Sequence, residues 1–330
     1  MKKSSVVTYV ITLTIATVLF YSPHSKAQSS LIGTLPMQFN PAFAGAAGAP
    51  RIGINTNLLS VDLGPSKGNN IYKERKLSFS YDNFLPKIAS GIGFRGDYRR
   101  LINSGFVSRE SETMDALRLG ISLAPKFSFK GKYTLSPAVE VIANLKNTNY
   151  KHFSQKSELV NTSFSPEVRF GLNFNARRFY MGFSYHTAVP FRNYQSGRSF
   201  GVDEVIRISS SPRWYLQMGY NFQKREDSKF SFSPQIVYGR FRDYVYYGNQ
   251  NYLRSHSDML LNLIFRYKQI VWGITLGDYD GIKLMAGWQK KNFRIAYLQG
   301  ASSRGFNGQI SFRYIFNTPK TSNVNLDSHY

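Results

Sequence analysis

Hydrophobic residues over the last sixty positions recur in twos. Leu261, Leu263, Phe265 and Tyr267 fall on one side, with Leu260, Asn262, Ile264 and Arg266 on the other. The same alternation sets Ile282, Leu284, Ala286 and Trp288 against Lys283, Met285, Gly287 and Gln289. It returns at Phe293, Ile295 and Tyr297, and at Ile310, Phe312, Tyr314 and Phe316. A period of two predicts strands with one apolar and one mostly polar face. The separators Lys268-Gln269, Asp278-Tyr279-Asp280 and Lys290-Lys291-Asn292 permit only antiparallel hairpins between neighbours.

Extended to the whole chain, the pattern predicts fourteen strands: 51–59, 76–84, 91–100, 116–129, 133–150, 167–175, 179–188, 214–223, 231–241, 258–267, 270–277, 281–289, 293–299 and 308–316. The links between them alternate in length. Ser60–Arg75, Leu101–Asp115, Lys151–Pro166, Val189–Arg213 and Arg242–Ser257 are long, and the intervening links are short, with Asp278–Asp280 an exception. Long loops at one end and short turns at the other are the signature of an all-β transmembrane antiparallel up-and-down β-barrel of about 14 strands. An even count returns both ends of the barrel to the same side, expected to be the periplasm.

Composition sharpens this. Aromatic residues make up 15% of the 330 residues, yet mean hydropathy is slightly negative. Lipid-facing and lumen-facing positions that alternate along each strand average out in this way. There is no cysteine, which excludes disulfides, thiolate metal sites and a cysteine nucleophile. Lys2 and Lys3, an apolar run from Val6 to Tyr21 and Ser25-Lys26-Ala27 read as a secretory signal over 1–27. Residues 28–50, centred on Leu35–Gly45, have no period and are rich in proline and small residues. They are expected to form a periplasmic or plug-like lead-in. The barrel is expected over 51–316, with a periplasmic tail over 317–330.

The chain is strongly basic, with 42 Lys plus Arg against 19 Asp plus Glu. Many cations fall in the short turns: Lys130, Lys132, Arg177, Arg178, Lys224, Arg225, Lys290 and Lys291. They mark either the membrane edge or a positive periplasmic rim that docks an acidic partner or wall polymer. The cations Arg95, Arg99, Arg169, Arg266, Lys283, Arg294 and Arg313 are read as lumen-facing. They are expected to pair across the lumen with Asp97, Glu140, Glu167 and Asp258, the alternative being an anion-attracting interior. Because the charge is spread over every turn and strand, nucleic-acid binding is not expected.

Catalytic chemistry is sparse. His186 lies on a strand with Ser184 on the same face, but no acidic residue is evident in the sequence to orient it. Packing or hydrogen bonding in the lumen is its expected role. Asp278 and Asp280 suit a tight hairpin better than a calcium loop. No metal, cofactor or catalytic site is expected.

The stretch Met37-Gln38-Phe39-Asn40-Pro41-Ala42-Phe43-Ala44-Gly45 resembles the N-P-A-[FY]-A-G signature that follows the signal in the PorP/SprF family. These are outer-membrane proteins of the type IX secretion and gliding systems of Bacteroidota. Phe164–Phe174 with Phe179–His186 is similar to the family's central hairpin, and Trp214–Tyr220 resembles a further strand. The resemblance implies a non-enzymatic barrel in the outer membrane of a Gram-negative bacterium, both ends periplasmic. Its partners would be outer-membrane lipid, type IX components and a secreted surface protein such as a large adhesin. On that reading Asn40, Pro41, Ala42, Phe43 and Gly45 belong to a lead-in that meets a periplasmic partner or limits leakage. Arg192, Tyr194 and Arg198, in the Val189–Arg213 loop, would contact the exported protein. The competing expectation is a general or anion-preferring diffusion porin, and a third is a structural link to the cell wall.

Overall fold

A computed structural model describes residues 35–63, 71–104, 110–129, 132–152, 158–176, 178–188, 213–223, 229–247, 250–277, 281–290, 292–302 and 305–316. Sixteen strand segments follow one another in chain order. They are β1 (Arg51–Leu63), β2 (Ile71–Leu85), β3 (Ser90–Ser104), β4 (Glu110–Pro125), β5 (Phe127–Phe129) and β6 (Tyr133–His152). Next come β7 (Glu158–Asn175), β8 (Phe179–Ala188), β9 (Arg213–Tyr220), β10 (Phe222–Gln223) and β11 (Phe230–Tyr247). The last are β12 (Gln250–Tyr267), β13 (Ile270–Gly277), β14 (Gly281–Lys290), β15 (Phe293–Ser302) and β16 (Gly305–Ile315).

Each strand pairs antiparallel with its neighbours in sequence, and β16 pairs back onto β1 from Arg51↔Ile315 to Asp62↔Gly305. The sheet therefore closes on itself, and a closed barrel leaves no unpaired edge. β4 and β5 form one stave, because both pair with β6 on either side of Lys126. β9 and β10 form another, because both pair with β11 on either side of Asn221. Sixteen segments thus make fourteen staves, the number that the period-two pattern predicts.

Alternation holds along the staves. On β4 the side chains of Leu119, Ile121 and Leu123 face outward, Ile121 being 68% exposed, while Ser122 and Ala124 are buried in the lumen. Val139 and Val141 on β6, Phe170 and Leu172 on β7 and Leu284 on β14 continue the outer apolar surface. Apolar cover of this extent is stable only against a hydrocarbon solvent. Aromatic rings gather at the short-turn end, where Phe222, Phe232, Phe265 and Trp272 stack in succession across four staves.

The staves are longer than the periodic pattern indicates, and they grow toward the long loops. β6 has 20 residues, and β7, β11 and β12 have 18 each, whereas about 9–11 tilted residues cross a bilayer. The β11–β12 ladder runs unbroken to Tyr247↔Gln250, so 242–247 and 250–257, expected as loop, are strand. Beyond the membrane both faces can be polar, so the apolar period fades while the backbone ladder continues.

Candidate functional site

The lumen is occupied by the chain's own Leu35–Pro50, which lies ahead of the first strand. Its turns are dictated locally. Pro36 and Pro41 each open a short 3-10 helix, Pro36–Gln38 and Pro41–Phe43, because proline's fixed φ and missing N–H suit a first helical position. Asn40 caps the second: its Oδ1 accepts from the Ala42 N–H at 2.9 Å, the usual role of an Asn at that position. Gly45 and Gly48 follow with φ of +65 and +68, a conformation that a side chain disfavours.

The wall is shaped to receive this segment. A Cβ on Gly171 would collide with Asn40 Oδ1 and meet Pro41 Cγ at 2.8 Å, and one on Gly182 would meet Asn40 Nδ2 at 2.7 Å. A Cβ on Gly91 would collide with the Ala44 carbonyl, and one on Gly45 would meet Gly91 Cα at 2.6 Å. Backbone therefore packs on backbone at Gly45–Gly91, and Asn40 sits in a recess between β7 and β8. Its amide donates to the backbone oxygens of Leu172, at 3.0 Å, and Phe183, at 3.2 Å.

Polar wall groups satisfy the segment's remaining backbone. Arg169 donates through Nη2 to Met37 O at 2.6 Å and through Nη1 to Gln38 O at 2.7 Å. Ser184 Oγ donates to Phe39 O at 2.6 Å, and Lys126 Nζ to Ala42 O at 2.9 Å. Asp82 accepts from the Gly45 N–H at 2.8 Å and from Arg51 Nε at 2.9 Å, while Arg51 Nη2 donates to Phe43 O at 3.2 Å. Apolar contacts supply the rest. Phe43 packs edge-on to Tyr180, and Phe39 edge-on to Tyr215 beside Val237 and Leu260. Ala47 and Ala49 lie against Ile315. The segment so reaches staves on every side of the lumen except the one from β13 to β15, which is filled by Val271, Met285, Ala296 and Leu298.

Beyond the segment lies a band of ion pairs. Arg95 Nε donates to Glu140 Oε1 at 2.8 Å and its Nη1 to Asp97 Oδ2 at 3.0 Å, while Arg169 holds the other oxygen of Glu140. Arg99 pairs with Glu74 at 2.8 Å. Arg95 and Arg169 thus pair with Asp97 and Glu140, but along the wall between neighbouring strands rather than across the lumen, Glu140 and Arg169 being register partners on β6 and β7; the side chain of Asp258 lies outside the described residues. Glu167 lies 2.6 Å from His186 Nε2, supplying the acidic neighbour that the sequence alone did not reveal. Glu167 is nineteen positions from His186, and only the register Arg169↔His186 brings it near. Ser184, however, gives its proton to the Phe39 carbonyl, so it holds the segment in place. Among the described residues no group of His, Asp or Glu has metal-site geometry.

The motif residues Asn40, Pro41, Ala42, Phe43 and Gly45 are all buried and gathered in the lumen. Of the short-turn cations, Lys132, Arg178 and Lys290 are exposed at that end of the barrel, where Lys87, Lys229 and Lys268 join them. Lys130, Arg177, Lys224, Arg225 and Lys291 lie outside the described residues, as do Arg192, Tyr194 and Arg198.

Comparison with known proteins gives a consistent result. No functionally curated protein matches the sequence. The Pseudomonas putida toluene transporter TodX superposes with a TM-score of 0.51 at 11% identity, over 88% of this chain and 93% of that one. The translocator domain of the autotransporter NalP from Neisseria meningitidis aligns at 8% identity with a TM-score of 0.45, over 87% and 98%. At these identities the TodX likeness speaks to the barrel fold alone. The family described as type IX secretion system membrane protein PorP/SprF matches residues 25–314. With nearly the whole barrel and its lumenal segment inside that match, the chain belongs to the PorP/SprF family of type IX secretion system membrane proteins.

Proposed function

We propose that this barrel acts in the outer membrane as a closed, non-enzymatic component of type IX secretion, supporting export or surface retention of a partner protein such as a large adhesin of gliding motility. The observation that carries this reading is the filled lumen. Leu35–Pro50 is buried and hydrogen-bonded to wall residues on β2, β3, β7 and β8, and by Lys126. A barrel so filled is poorly suited to bulk diffusion, and this weighs against the porin reading. The short turns and both ends of the barrel would face the periplasm, where the exposed Lys132, Arg178 and Lys290 form a rim for an acidic partner. The lumenal segment would then meet a periplasmic component only when it leaves the lumen. The Val189–Arg213 loop, with Arg192, Tyr194 and Arg198, would contact the exported protein on the opposite side.

Affinity purification of the tagged barrel from solubilised outer membranes tests this. Recovery of one large surface protein, or of type IX components, supports it. A barrel recovered alone that conducts in a planar bilayer without any deletion overturns it. Exchanging the Val189–Arg213 loop for that of a paralogue should redirect which surface protein is recovered, and unchanged recovery refutes the loop's role.

A further inference from the structure

On the outer face of β2, β3, β4 and β6 the apolar surface ends at one register. Leu77, Tyr98, Leu117 and Leu145 stand in a single row across these strands, each exposed. From that row toward the short turns, the outer faces of β3 and β4 stay apolar down to Ile92 and Leu123. The next outward row toward the long loops is Arg75, Arg100, Asp115 and Asn147, and Lys73 lies two residues further along β2. Lys73, Arg75 and Arg100 are exposed. The height at which a lipid-facing surface turns from apolar to charged is that of the headgroups.

The protein itself matches these cations poorly. Arg75 faces Arg100 directly across the β2–β3 ladder, and like charges so placed destabilise a sheet. Neither Lys73 nor Arg75 has an ion-pair partner among the described residues. The intervening Glu74 belongs to the opposite face and pairs with Arg99 at 2.8 Å. On the other flank the β1–β2 ladder is irregular between Thr56 and Val61, so β1 sets no register partner opposite Arg75, and Val61 rather than Asp62 stands opposite Lys73. Asp115 is the one carboxylate in the outward row. It accepts from the Tyr98 hydroxyl at 2.7 Å and lies 3.9 Å from Arg100 Nε, beyond hydrogen-bond length. One acid therefore stands against three cations.

We propose that Arg75 and Arg100, with Lys73 beside them, bind the phosphate of a lipid headgroup, a phosphomonoester glycolipid of the outer leaflet. Two guanidinium forks on adjacent strands present paired N–H donors to one phosphate, and the ammonium adds a third charge. A phosphomonoester carries about two negative charges, which matches the excess of cations over Asp115. The acyl chains of such a lipid run down over Leu77, Tyr98 and Leu117. The site rests on the lipid-facing surface of the barrel; only the choice of leaflet rests on the orientation proposed above.

The test is a native mass spectrometry titration of the purified, detergent-solubilised barrel with monophosphoryl lipid A and with the same lipid enzymatically dephosphorylated. The wild type binds the phosphorylated lipid at least about tenfold more tightly, as expected for charge-assisted hydrogen bonds. Arg75→Gln/Arg100→Gln loses that preference, while its affinity for the dephosphorylated lipid and its heat-dependent gel shift stay as in the wild type. Arg75→Gln alone supplies the same readout, at smaller size, if the double variant fails to fold. Lys268→Gln/Lys290→Gln, at the short-turn end, keeps the preference. Equal affinity of the wild type for the two lipids overturns the proposal, as does a double variant that retains the preference in full. Displacement of the lipid by inorganic phosphate at equal concentration also overturns it, because the acyl chains would then have no part. The leaflet is read separately, with Ser104→Cys at the long-loop end of β3 in this cysteine-free chain. Its reaction with an impermeant maleimide on intact cells supports the outer leaflet; no reaction overturns that leaflet while the lipid preference stands.

Discussion

Asn40 shows how much one side chain in the lumen does. It caps a turn of its own segment and donates to two strand carbonyls on β7 and β8. Asn40→Ala removes all three bonds inside a buried recess, so the barrel should lose about 1–3 kcal/mol, read as a lower unfolding midpoint in detergent. Gly171 and Gly96 form a sharper contrast. A Cβ on Gly171 invades Asn40 and Pro41, whereas one on Gly96 meets first the flexible Leu119 Cδ2 at 3.4 Å. Gly171→Ala should displace the lumenal segment and expose it to protease while the barrel persists, and Gly96→Ala should leave protection unchanged. The sequence marks these residues unequally. Asn40-Pro41 announces a capped turn, but nothing in a strand pattern says that Gly171 and Gly182 face a stopper rather than a close strand neighbour.

Strands are legible wherever one face meets lipid, because solvent imposes the alternation there. Ile121, Leu123, Val139 and Val141 carry that signal. The Glu158–Ser165 part of β7 and the Gln250–Ser257 part of β12 do not, since above the membrane both faces are free to be polar. The lumenal segment reads only as aperiodic; apart from Arg51, its wall contacts come from positions such as Asp82, Arg169, Ser184 and Phe316, far beyond the reach of any local pattern. Its anchorage is testable as a unit. Asp82 ties Arg51 on β1 to the Gly45 N–H, and Asp82→Ala removes the carboxylate that this buried arginine pairs with. That change should cost about 3–5 kcal/mol, seen as a lowered midpoint, with the β1 end of the segment more accessible to a cysteine-directed label placed at Ala47.

The closed barrel and the occupied lumen are both properties of the whole molecule. If the outer surface meets hydrocarbon, Ile121→Arg should destabilise the barrel in bilayers by about 2–4 kcal/mol; a surface facing water would tolerate it. Deleting 35–50 should give a folded barrel whose single-channel conductance rises well above that of the wild type, measured in planar bilayers. Equal conductance would mean that the segment does not limit the passage. The arrangement of charges in the lumen belongs to this scale too, because strand order sets which charges share a height. Gln289, Arg294, Arg313, Gly53, Ser80 and Arg95 form one row across six staves, a neighbourhood that spacing in the chain conceals.

One contact at the base of the stopper has a mechanical consequence. Phe316 N donates to Pro50 O at 2.8 Å, and Ala47 and Ala49 rest on Ile315, so the root of the segment is built into the seam where the last strand meets the first. Gly45, with its left-handed backbone, lies between that root and the part that spans the lumen. A displaced stopper would therefore stay tethered, like a flap valve sewn along one edge. Swinging residues 35–44 aside breaks their wall contacts but leaves the seam intact, and the flap stays in reach to close again.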